Sequence, residues 1–135
     1  MRSKHCLTAS DAQKIIVACN DAAQKNSWKV SVAIVDEGGY LIRLERLDGA
    51  SLHSPELAFL KARTAALSRV PTKFLEELVK ERPATIAFPG RLPVQGGVPV
   101  IYKGECIGGI GVSGAASPED EQVANAGLAI LESLG

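Results

Sequence analysis

The chain has 135 residues, 46% of them hydrophobic, and its 15 Lys plus Arg are balanced by 15 Asp plus Glu. That length makes one domain able to bury roughly two-thirds of its unfolded surface, and the absence of net charge removes the long-range field that draws in nucleic acid or an anionic membrane. The three cysteines, Cys6, Cys19 and Cys106, are odd in number and lack CxxC spacing, which argues against a disulfide framework or a zinc site and fits a reducing cytoplasm. Aromatic residues make up 4% of the chain, so Val, Ile, Leu and Ala must fill the core and few rings remain for base stacking.

The opening MRSKHCLTAS lacks a sustained apolar stretch, and no run approaches the roughly 18 apolar residues that span a bilayer. A non-exported, cytoplasmic protein is expected, with residues 1–6 a flexible leader to a single domain over 1–135. Thr8 to Asp11 has capping-box spacing, and Ala12, Ile15, Ile16, Cys19 and Ala23 recur at helical spacing, which predicts a helix over 9–25. Trp28 to Asp36 alternates in the manner of a half-buried strand, and the Asp36-Glu37-Gly38-Gly39 turn returns the chain through Tyr40 to Leu47 as an antiparallel partner.

Ser54-Pro55 supplies a capping hydroxyl and a first-turn proline for an alanine-rich helix over Leu57 to Ala66. Pro71-Thr72 starts a second helix carrying Phe74, Leu75, Leu78 and Val79 on one side, which Pro83 ends. Thr85 to Phe88 reads as a short strand. Val98 to Tyr102 and Glu105 to Ser113 flank Lys103-Gly104 as a second hairpin, and Ser117-Pro118 caps a last helix with Val123, Ala124, Leu128 and Leu131.

Gly109 to Gly114 spells GxGxxG, but residues 115–135 read as one helix rather than the further strand and acidic residue about 20 positions on that a dinucleotide site needs. Glu119, Asp120 and Glu121 at that helix start would also repel a phosphate. The glycines are better read as a thin strand face against which a ligand, a helix or another subunit comes close. Arg43, Glu45, Arg46 and Asp48 form a charged patch whose ordinary role is a solvated edge. Lys61 and Arg63 lie within the alanine-rich helix, and Asp48 is the natural partner for Lys61. His5 and His53 carry no HxxxH or HExxH spacing, so no metal site is expected, and Ser113 is not in a GxSxG elbow.

The segments LTASDAQKIIVAC, VSVAIVDEGGYLIRLERLDGA, KARTAA, GGVPVIYKGECIGGIGVSG and SPEDEQVANAG resemble, in order and spacing, the GlcG/HbpS-like family, which includes the C-terminal domain of PduO-type cobalamin adenosyltransferases. The resemblance covers Leu7 to Leu131. It implies an α+β fold of profilin-like three-layer α/β/α form, with a five-stranded antiparallel sheet, and homo-oligomers often of even subunit number. It also implies haem as a cofactor in some members, for which the axial candidates here are His5, His53, Met1, the cysteines, Tyr40 and Tyr102, with none assigned.

The leading expectation is therefore an oligomeric small-ligand-binding protein that takes haem or a compact carboxylate metabolite. Asp48, Lys61, Gly96 and Gly97 would form the pocket, with Arg46 and Glu56 beside it: Lys61 to neutralise a ligand carboxylate, Asp48 to orient Lys61, and the glycine amides to donate hydrogen bonds. One alternative is an enzyme acting on a small hydroxy- or oxo-acid with Lys61 or Asp48 as general acid or base. The other is a structural accessory subunit without catalysis.

Overall fold

The computed structural model describes residues 1–134. Helix α1 (Ala9–Lys25) opens on the expected capping box: the Asp11 N–H donates to the Thr8 hydroxyl at 3.0 Å, and the Thr8 N–H donates to the Asp11 carboxylate at 2.9 Å. Strands β1 (Ser31–Asp36) and β2 (Leu41–Arg46) form the first hairpin. Asp36 holds its turn, accepting the Gly38 and Tyr40 N–H groups at 2.9 Å each. Helices α2 (Ser54–Ser68) and α3 (Thr72–Glu81) follow, then β3 (Gly97–Tyr102), β4 (Glu105–Ser113) and α4 (Ser117–Leu128). At the β3–β4 turn Lys103 and Gly104 both have positive φ, 48° and 81°, the backbone a two-residue hairpin requires.

All strand pairs are antiparallel, in the order β2-β1-β4-β3, so the two hairpins join through β1 and β4 at the centre. Helices α1 and α4 cover one face, where Ile15, Ile16 and Val123 pack on Val32, Ile34, Ile110 and Val112. Helix α2 covers the other, its Ala58, Ala62 and Ala66 against Ala33 and Val35. The result is three layers built on an open sheet.

That sheet has four strands rather than five. Thr85 to Phe88 is not a strand: Pro83–Ala87 is a 3-10 helix, closed by the Thr85 hydroxyl and N–H, which both donate to the Arg82 carbonyl. A side chain that offers the backbone a local partner diverts it from a sheet ladder. The first strand starts at Ser31, not Trp28, and is buried on both faces because each carries a helix layer. Ser54 and Ser117 lie inside their helices, with His53 and Ala116 at the caps; the buried Ser54 hydroxyl instead reaches Ser51 O at 2.7 Å and the Ser31 hydroxyl at 2.8 Å. Leu131 belongs to a separate 3-10 turn, Leu131–Ser133.

The glycines of β4 set how closely α2 approaches. A Cβ built on Gly111 would stand 2.0 Å from Ala58 O, and one on Gly109 would stand 2.3 Å from Ala62 O. Of the three occupants the sequence allows for that thin face, the helix of the same chain is the one that takes it.

Candidate functional site

Lys61 is 3% exposed, deep in α2, and its ammonium donates to Asp120 Oδ2 at 3.2 Å and to Val112 O at 3.1 Å. Asp120, in the first turn of α4 and 2% exposed, also accepts the Ala115 N–H at 3.0 Å. Burial pushes the Asp120 carboxyl above its ordinary range, and Lys61 with the Ala115 N–H pulls it part of the way back. The acid that holds Lys61 is Asp120, not the Asp48 expected from the sequence. Asp48 is exposed in the turn after β2, where it lines a shallow surface recess with Trp28 and Lys29. Gly49, with φ of 86°, turns the chain there.

Gly96 and Gly97 do lie against Lys61. A Cβ on Gly96 would sit 2.9 Å from the Lys61 ammonium, and one on Gly97 would sit 2.3 Å from the Lys61 carbonyl. The Gly97 amide, however, donates to Thr72 Oγ1 at 2.9 Å, so it is satisfied within the chain. Arg46 and Glu56 are exposed, Arg46 at the end of the edge strand β2 and Glu56 in the first turn of α2, where its charge complements the helix dipole. The structure thus gathers Lys61, Gly96 and Gly97, and leaves Asp48, Arg46 and Glu56 apart from their polar web. With both side chains of the Lys61–Asp120 pair under 5% accessible, the pair acts as a brace between α2, β4 and α4.

In the sequence Asp120 stands out only as one of three acids at a helix start that would repel a phosphate. The signal that singles it out is its spacing, since Asp120, Val123, Ala124 and Gly127 are the buried residues of α4 and form one i, i+3, i+4, i+7 stripe.

The second gathering lies at the end of the sheet bearing both hairpin turns. The leader crosses it, tied by a Lys4–Glu37 ion pair and by Leu7, which packs on the main core. His5 meets Tyr102 edge-on, ring centroids 4.9 Å apart at 81°, and the Lys103 ammonium stands 5.4 Å over the same Tyr102 ring. His5, Cys6, Tyr102 and Lys103, with Ile107 and Leu131, line a recess of about 290 Å³. On the other side of His5 and Cys6, Lys4, Asp36 and Ile42 contribute to a second recess of about 220 Å³. The remaining axial candidates lie elsewhere. Met1 and His53 are exposed, Tyr40 stacks near Arg63, Cys19 is buried, and the Cys106 thiol is 3.5 Å from the Ala66 carbonyl. Sequence reading sees His5, Cys6 and Tyr102 as scattered because they are brought together by a leader with no periodicity of its own.

Three layers on an open four-stranded antiparallel sheet, with a recess lined by His5, Cys6, Tyr102 and Lys103 at one end, define a class of small α+β domains. Within that class the model of the family described as haem degrading protein HbpS-like matches residues 7–129, and the chain belongs to this family. It is 43% identical to Protein GlcG of Escherichia coli K12 over 114 residues, 84% of this chain and 85% of that protein. The crystal structure of a double mutant of Streptomyces reticuli HbpS superposes with a TM-score of 0.92 at 40% identity, covering 97% of this chain and 90% of that one. The crystal structure of a PduOC:Heme complex gives a TM-score of 0.85 at 28% identity, covering 93% and 94%.

Proposed function

We propose that this protein binds haem at the leader recess. The observation that carries the reading is the convergence of His5, Cys6 and Tyr102 on one cavity, beside apolar Ile107 and Leu131. Imidazole, thiolate and phenolate are all haem-iron ligands, and an apolar wall suits the macrocycle. Lys103 is placed to meet a propionate, as a cation meets a carboxylate. Membership of a family described as haem-degrading, and similarity to a domain solved with heme, support the same assignment. Haem would supply a redox-active iron, and the chain's part would be to hold and orient it.

A recess of about 290 Å³ falls just below the ~300–1,000 Å³ range of ligand sites, so it takes one edge of the tetrapyrrole. A second copy of the chain would cover the remainder, which fits an even-numbered homo-oligomer. Titration with haemin should give a saturable Soret shift, weakened by His5→Ala or Cys6→Ala, both at exposed positions that leave the core untouched. No shift, or a shift indifferent to both changes, ends this assignment.

A further inference from the structure

A separate cavity of about 190 Å³ lies on the far face of the molecule, between α2, α3 and the segment that follows α3. Leu75, Leu78, Phe88 and Pro93 give it apolar walls, and Arg82 and Arg91 stand at its edge with no acidic residue in the lining. The wall is built rather than accidental: the buried Thr64 hydroxyl donates to Leu60 O at 2.6 Å and accepts the Leu92 N–H at 2.8 Å, strapping the loop over α2.

Among the described residues the salt bridges are Lys4–Glu37 and Lys61–Asp120, so neither guanidinium has a carboxylate partner. Arg91 donates to Pro89 O at 3.0 Å, and the Arg82 side chain donates to no group of the described chain. Two guanidiniums without a carboxylate partner beside an apolar hollow offer a place for an anion. Their planar forks match a carboxylate, while the hollow demands an apolar body attached to it. Size narrows the class further, because an apolar cavity of about 150 Å³ accepts a benzene ring. We infer that this cavity binds a small monocarboxylic acid whose apolar body is about one ring in size. The site shares no residue with the haem recess and stands independently of it.

Benzoate is the probe, followed by amide chemical shifts of the full chain, with benzamide and acetate as controls. Benzoate should produce saturable shifts centred on Leu75, Leu78 and Phe88. It should bind at least about tenfold more tightly than benzamide, which lacks the charge, or acetate, which lacks the ring. Arg82→Ala should weaken benzoate about tenfold and Arg82→Lys less, since a lysine keeps charge without the fork, while haemin titration stays unchanged. Arg91→Ala provides a second variant. Absence of shifts, equal response to benzamide, shifts centred on the His5 recess, indifference to both arginine changes, or occlusion of Phe88 by self-association would each overturn the inference.

Discussion

Lys61 and Asp120 are each other's solvation. Removing one partner of a buried ion pair leaves an uncompensated charge, which costs about 3–5 kcal/mol, whereas replacing both by apolar groups of similar size is often neutral. Asp120→Ala should therefore lower unfolding stability by that amount, and the Lys61→Met, Asp120→Leu double variant should recover most of it in urea denaturation. A double variant no better than the single one would mean that the pair does more than brace the helices. Cys19 tests burial from another side. Desolvation lifts its thiol from 9.0 to about 12, so the folded chain keeps a proton that the unfolded chain gives up. That contribution is whole below pH 9 and is lost as pH rises towards 12. Cys19→Ala should flatten the alkaline fall in stability, and in the native protein Cys6 should alkylate well before Cys19. Identical alkaline limbs for the two proteins would refute the shift.

The contact of α2 with β4 is made by backbone. Gly111→Ala would push a methyl group into Ala58 O, and since main chain cannot swing aside, the helix must lift from the sheet. A loss of about 1–3 kcal/mol is expected from overpacking of this kind, read as a lower denaturation midpoint. A midpoint within error of the parent would show that the helix has room. Most elements were legible for local reasons: the Thr8–Asp11 box, the Asp36 turn and the Lys103-Gly104 turn each fix their own geometry. Thr85 to Phe88 was misread because β-branched residues suggest a strand, and the hydroxyl that bends the segment into a 3-10 turn acts against that propensity. Asp48, at the end of the second strand, is the partner the sequence offers Lys61, but the acid that holds it lies 59 positions away, a contact that only the sheet order creates.

At the scale of the molecule, the layer order is what the family resemblance implies, and the two hairpins and apolar helical stripes agree with it, but the donor recess is not legible, since it needs the leader laid across the turns. The thin face of β4, open in the sequence to a ligand, a helix or another subunit, is covered by α2 of the same chain. Apolar side chains that stay exposed are spread over the surface, Leu52 at 84% and Phe74 at 58% among them. Sedimentation at micromolar concentration should show an even-numbered oligomer, and a monomeric parent would refute it. The sheet borders then decide what kind of assembly is permitted. Along β2 the charges of Arg43, Glu45 and Arg46 discourage an incoming strand, and along β3 Pro99 has no N–H to lend one. With both borders guarded against strand donation, the sheet is poorly suited to grow edge to edge from one copy of the chain into the next.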